Sequence, residues 1–421
     1  MVWEILPWSH IAKVVAANAR GTMSQPAQNM PNKILLVDED PGIARVLEEP
    51  LARYNIKIEK ATSLETALYL FNTNRYEVVL ISIDFAPMAG LAMVQRWRSH
   101  EVIDKRSCAF IMLKGNKALG NNEGLIKELG DLEVLSKPFG PIQILPYLSR
   151  GMATRQRLAN FFELQDRVIN YYQKSNDFAK AAEQVQKRLP ELGARGLTLL
   201  YDLYEKADKK EEALGLVGPM LDKDPSNIVL LNAKGRLLMQ LGRFEEAKVA
   251  LAQADSFAPQ NIERLNNLVG AYLDLKEPDA AVKKMKEIIK LSPDQPEEKF
   301  GMFAKLFDHG FDKHAVQFGK DAAKPMEIVR HYNNKGVMLS KDGESDNALG
   351  EYQRAIQFFP QFKENYRIYY NIALAQAKFK TREGYIEAQK NLKKCLELCP
   401  DFDKAKSTLE QIEKGLTKKA G

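Results

Sequence analysis

Cysteine is almost missing from this sequence. Three occur in 421 residues: Cys108, Cys395 and Cys399. So sparse and odd a set excludes a disulfide framework and fits a reducing compartment, here expected to be the cytoplasm. Cys395 and Cys399 lie four apart on an expected helix with no His or further Cys close in sequence. They read as a buried structural pair, with a shared metal as the alternative. Long apolar runs are also missing, and none reaches the roughly 18 to 20 residues that a membrane-crossing helix needs. The opening stretch MVWEILPWSHIAKVVAANARG carries Trp3 and Trp8 but no sustained apolar run, which argues against a secretory leader. Residues 1–31 read as a flexible extension; a start at Met23 or Met30 and an amphipathic membrane-surface tether are the alternatives. Charge of one sign is not in excess. Lys and Arg number 61 against 55 Asp and Glu, a net +6, which calls for neither nucleic acid nor an anionic membrane as partner. The chain shows no nucleophile–base pair, metal-ligand cluster or phosphate loop, so no enzyme and no resident metal or cofactor is expected.

What is present is written in two grammars. From residue 33 to about 150, short apolar runs alternate with helical stretches. KILLVDED, IKIEKA, YEVVLIS, CAFIMLKG and LEVLSKPFG read as strands. PGIARVLEEPLARYN, SLETALYLFNTN, LAMVQRWRSH and a segment near 123–129 read as helices. Near-continuous Val, Ile and Leu strands alternating with helices predict a doubly wound parallel sheet covered on both faces. In that arrangement ligands meet the carboxyl ends of the strands. Pro50 falls inside the first helix and should kink or shorten it.

From about residue 152 onward the sequence is helical and it repeats. Pro225, Pro259 and Pro293 are evenly spaced by 34 residues, as are Ala213, Ala247 and Ala281. That period predicts a stack of helix–turn–helix units. Gly235, Ala247 and Ala254 let paired helices cross closely, while Leu231, Leu238 and Leu251 fill between units. The register continues through Gly336, Gly343, Ala348, Tyr352, Ala355 and Pro360, and more loosely through Gly310 and Ala315. Six to seven units are expected over 152–402. DKAKSTLEQIEKGL, within a C-terminal helix and tail at 403–421, closes the last face with polar residues.

Four pieces of the first segment, 32–151, give it a family likeness. ILLVDEDP with Asp38 and Glu39, VVLIS followed by P-M-A-G, FIMLKG, and SKPF with Lys137 and Pro138 stand in the order and spacing of the response-regulator receiver family, which this domain resembles. The resemblance implies a flavodoxin-like fold. It also implies three carboxylates that hold Mg²⁺, one of them the phosphoacceptor, together with an invariant lysine and a switch hydroxyl. Here the acceptor position holds Ser82, the switch position Lys114, and the aromatic switch position Val134. Asp38, Glu39, Lys114 and Lys137 cancel in charge without a metal. We therefore expect Lys114 to replace the cation with a fixed salt bridge, roughly 4 kcal/mol for a close contact at an effective dielectric of about 20. The domain would then be held in one conformation and take up no phosphate. In the competing reading Asp84, two residues past Ser82, slips into the acceptor position, and only then is Mg²⁺ expected. A plain solvated strand end with an ordinary surface lysine is the bland reading.

The second segment resembles tetratricopeptide proteins over about 250 residues, which implies a groove lined by the first helix of each unit. Asn232, Asn266, Asn267, Asn333, Asn334 and Asn371 fall at equivalent or adjacent positions there, and amides can bond a peptide backbone without reading its side chains. Arg236, Lys335 and Arg330 are candidates for an acidic ligand. The aromatics of FKENYRIYYNIALAQAKF read as packing between repeats. Together the segments imply a bacterial cytoplasmic signalling adaptor whose repeats hold a partner protein. A phosphorylation-controlled regulator served by a sensor kinase, and a structural scaffold of a motility or envelope assembly, are the alternatives.

Overall fold

The computed structural model describes residues 30–116, 119–120 and 122–418. The expected N-terminal extension with Trp3 and Trp8 lies outside these up to residue 29, as do the last three residues of the tail. The chain forms two compact units, the first ending at Pro293 and the second beginning at Asp294.

The first unit opens with five strands: β1 (Lys33–Val37), β2 (Lys57–Ala61), β3 (Val78–Ser82), β4 (Ala109–Lys114) and β5 (Leu132–Ser136). All pair in parallel, in the order β2-β1-β3-β4-β5. Each predicted strand is present, and the central ones are apolar runs buried on both faces. Helices α1 (Pro41–Ala52), α2 (Leu64–Thr73), α3 (Gly90–Arg98), the short α4 (Ile103–Arg106) and α5 (Asn122–Leu129) connect them. Pro50 sits in the last turn of α1, and the helix stops at Ala52 rather than running on to Asn55. On one face of the sheet Phe71, Trp97 and Phe110 stack, with Phe71 and Trp97 centroids 4.2 Å apart. On the other, Ile34, Leu36, Leu80, Ile111 and Leu113 pack with Leu47, Ile144 and Leu148.

Those last two residues belong to α6, which runs without interruption from Pro141 to Ser175. The boundary expected at 151/152 falls inside this helix. Its first half covers the sheet and its second half pairs with α7 (Phe178–Gln186), so the two segments share one rigid element and no linker. After the short α8 (Leu189–Leu192), three helix pairs complete the first unit: α9 (Ala194–Lys206) with α10 (Lys210–Lys223), α11 (Ile228–Gln240) with α12 (Phe244–Phe257), and α13 (Ile262–Asp274) with α14 (Pro278–Leu291). Starts and ends recur at the 34-residue period, and Pro225, Pro259 and Pro293 each follow two residues after a second helix ends. Ala213, Ala247 and Ala281 are fully buried. At Gly235 an added Cβ would stand 2.4 Å from the Leu251 side chain, which is why the helix crossing there requires glycine.

The second unit holds α15 (Pro296–Asp308) with α16 (Asp312–Ala322), α17 (Pro325–Lys341) with α18 (Ser345–Phe358), α19 (Tyr366–Ala377) with α20 (Arg382–Leu398), and the terminal α21 (Asp403–Lys418). Phe303, Phe318, Tyr332 and Phe358 form an aromatic core. Tyr366, Tyr369 and Tyr370 pack on the last core cluster, in agreement with their expected packing role. Cys395 is buried and its thiol is pushed up to about 11 by that burial, while Cys399 is half-buried. No helix among the described residues is long and apolar enough to cross a membrane.

The turn inside each unit places one residue in the left-handed region. Asp208, Gly242, Lys276 and Gly310 occupy the same repeat position with φ of 57°, 72°, 61° and 78°. Only glycine adopts this backbone without a steric cost. Lys276→Gly is therefore expected to raise stability by about 0.5–1 kcal/mol, relief of the left-handed strain outweighing the added chain entropy. A urea midpoint that falls on this substitution would contradict the expectation.

Candidate functional site

The carboxyl ends of β1, β3 and β4 meet at the switch point of the sheet, where the strand order reverses. Asp38 follows β1 directly and is 4% exposed. Its Oδ2 accepts from Lys137 Nζ at 2.5 Å, and its Oδ1 accepts from the Asp40 backbone N–H at 3.0 Å. Asp40 in turn caps α1 by accepting from the Gly42 N–H at 2.8 Å. Lys137 Nζ lies 3.5 Å from Ser82 Oγ, at the end of β3. Glu39 is exposed, and its Oε1 accepts from the Ala86 N–H at 2.8 Å, tying down the loop after β3. The structure thus brings Asp38, Ser82 and Lys137 together and sets Glu39 beside them. A cavity of about 420 Å³ opens alongside, lined by Lys137, Pro138, Phe139, Asp40, Val46 and Asn116.

Two expected members do not join. Lys114 forms no salt bridge among the described residues, so the expected metal-replacing bridge is not formed by this lysine. The reason lies in the pleat. Leu113, in register with Ser82, is buried beside Leu80 and Leu36, so Lys114 leaves by the opposite face. Asp84 is exposed, two residues beyond the end of β3, and pairs with no cation among the described residues. The sheet holds one ammonium against Asp38 instead of two against the acidic pair.

A divalent cation does not fit this donor set. Hard cations take several oxygen ligands, commonly two or more carboxylates. Here the buried carboxylate is already engaged by Lys137, the third position is a neutral hydroxyl, and no group of three His, Cys, Asp or Glu side chains among the described residues stands together.

The groove candidates also have partners. Asn232 Nδ2 donates to Glu128 Oε1 on α5 at 2.6 Å, and Asn232 Oδ1 accepts from Arg264 at 3.0 Å. Arg236 pairs with Asp202 at 2.8 Å and Glu263 at 3.3 Å, both within the repeats. Asn266 bonds the Ile262 carbonyl one turn back. Asn267 lines a second cavity of about 350 Å³ with Asn232 and Arg236. In the second unit Asn371 donates to Asn333 at 2.8 Å, Lys335 pairs with Glu351 at 2.9 Å, and Asn334 is exposed.

Sequence reasoning passed over the most heavily bonded site. Glu128 Oε1 accepts from Arg264 Nη1 at 2.9 Å, from Asn261 Nδ2 at 2.8 Å and from Asn232. The Glu128 and Arg264 side chains are 6% and 1% exposed. Burial pushes the Glu128 carboxyl above the usual carboxylate range, against the pull of Arg264. Asp131 is partly buried too, yet Arg195 at 2.9 Å and Arg157 at 3.2 Å hold it below that range. A signal existed: Arg264 stands one period after the buried Leu230, so the sequence places a charge at a core position of the repeat.

Residues 34–149 match the family model of the response regulator receiver domain, and residues 206–272 match that of the tetratricopeptide repeat. The chain joins a receiver domain to tetratricopeptide repeats, a pairing that marks a signalling protein. The transcriptional regulatory protein SrrA of Staphylococcus aureus is 27% identical over 116 residues, 28% of this chain and 46% of its own length. The chain therefore spans about half the length of the curated relatives it matches. Chemotaxis response regulator CheY4 of Vibrio cholerae is 24% identical over 28% of this chain and 96% of its own, with a TM-score of 0.26. A tetratricopeptide repeat protein from Parabacteroides merdae is 16% identical over 60% of this chain and 98% of its own, with a TM-score of 0.32.

Lys137→Met removes the cation facing buried Asp38 and is expected to cost about 3 kcal/mol. Adding Asp38→Asn should recover most of that loss, since the charge left behind is then gone. Denaturant midpoints of the two variants check this, and a loss below about 1 kcal/mol for the single variant would show that the pair is not structural.

Proposed function

We propose that this chain is a signalling adaptor whose receiver domain works without phosphate, while its repeats hold a partner protein. The observation that carries the reading is the ion pair at the strand tips. Lys137 neutralises Asp38 directly, and the residue at the end of β3 is the neutral Ser82. In a working receiver, the lysine and a metal stabilise charge that develops on a transferred phosphoryl group. Here the lysine is already committed to Asp38, and the strand end offers a hydroxyl rather than a carboxylate nucleophile. Asp84 reaches solvent instead of this pair, which speaks against its service as acceptor.

The receiver then acts as a fixed surface, docked on the first repeats through Glu128 and Asp131 and through Gln95 of α3, which donates to the Gln260 carbonyl. Proteins built from such repeats present extended surfaces to peptides and helices. A scaffold of a larger assembly is the remaining reading, and it differs in needing no released partner.

The test is thermal melting of the full chain with and without Mg²⁺ and beryllofluoride, paired with intact-mass measurement after incubation with acetyl phosphate. No stabilisation and no added phosphate are expected. A rise of several degrees, or a phosphorylated species lost on Asp84→Asn, would establish the phosphorylation-controlled alternative.

A further inference from the structure

Within the first unit the receiver is fastened to the first repeats by polar contacts that include those of Gln95, Glu128 and Asp131. Gln95 on α3 donates to the Gln260 carbonyl at 3.1 Å and accepts the Ile262 N–H at 2.9 Å, at the start of α13. Glu128 on α5 is held by Arg264, Asn261 and Asn232. Asp131 is held by Arg195 and Arg157. The approach is close enough to exclude a side chain: a Cβ on Gly124 would lie 2.1 Å from the Phe257 carbonyl oxygen and 2.9 Å from Ala258 Cα. Both obstacles are backbone, so neither can turn aside.

The repeats grip Glu128 in the way a binding site grips a ligand. Asn261 uses Oδ1 to accept from the Arg264 N–H at 2.9 Å and so cap α13, which leaves its Nδ2 aimed at the carboxylate. Arg264 is fixed from behind by Asp255 and by the Ala258 carbonyl. Asn232 completes the cradle while accepting from Arg264. Arginine and two amides converging on one oxygen select a carboxylate by charge and geometry together.

We propose that the first helices of these repeats form a recognition site for an acidic helix, and that α5 of the receiver occupies it in cis. The partner it fits is a helix with a small residue four positions before a Glu or Asp, the spacing of Gly124 and Glu128. A tethered occupant competes at a high effective concentration, so such a partner must displace the receiver to bind. This rests on reading the repeats as a protein-binding groove, and not on the chemistry at the strand tips.

The experiment uses the full chain and a helical peptide of residues 122–131. The peptide is closed by a lactam between Glu123 and Lys127, an exposed pair already 2.9 Å apart. Weak binding is expected for the unaltered chain. Gly124→Val in the chain should undock α5 and strengthen peptide binding at least tenfold. Arg264→Met added to that variant, or Glu128→Gln in the peptide, should abolish the gain. Should Gly124→Val fail to fold, Gln95→Ala serves as the milder undocking variant. Amide exchange over residues 262–274 gives a second readout, expected to accelerate in Glu128→Gln and to stay unchanged in the Lys127→Gln control. Equal binding by docked and undocked chains, no binding to any variant, or unchanged exchange in Glu128→Gln overturns the proposal. A chain that takes up beryllofluoride yet shows the expected displacement would refute the phosphate-free reading and leave this one standing.

Discussion

An ionised carboxylate buried without a partner is costly in a protein interior, and the first domain buries the side chains of both Asp38 and Glu128. Asp38 at the strand tips is answered by Lys137, and Glu128 on α5 is answered by Arg264. Each cation is supplied by the chain itself. The first pair fixes the ends of β1 and β5 to one another. The second fixes the receiver to the repeats. Between them runs α6, half sheet cover and half repeat helix, which leaves the two domains no independent hinge. The protein is built as one continuous body from its first strand through its third full helix pair, with its counter-ions inside.

Much of this was legible in the residues, and for identifiable reasons. Apolar runs such as KILLV and VVLIS specify buried parallel strands because both of their faces are covered. The proline and alanine spacings specify the repeat because each copy solves the same packing problem: a close helix crossing, then a stop. Lys137 was legible because SKPF, in order after ILLVDEDP and VVLIS, resembles the lysine-bearing last strand of the receiver family. What stayed hidden was side-chain direction and long-range pairing. Lys114 sits at the right strand end but leaves by the wrong face, since β4 must turn Leu113 into the core. Asp84 shares the parity of Ser82, but the strand ends before parity applies. The period marked Asn232 as a groove position, while the partner that claims it lies 104 residues earlier on another domain. The continuous α6 was also hidden, because a family boundary suggested a break that the backbone does not make.

The repeat stack adds its own constraint. Asp208 and Lys276 accept left-handed backbone at a turn where neighbouring copies use glycine, so each unit keeps its geometry even where the local residue resists it. That regularity lets a single odd residue such as Arg264 stand at a core position and answer a carboxylate from the receiver domain.

On the proposed reading, Lys137 alone balances Asp38, without the divalent cation that receivers accepting phosphate hold beside the same lysine. Paramagnetic relaxation with Mn²⁺, followed on the backbone amides of the full chain, tests it most directly. No selective broadening is expected at Asp38, Glu39 or Ser82 as Mn²⁺ is added. Saturable broadening centred on those three amides, reversed by excess Mg²⁺, would contradict it.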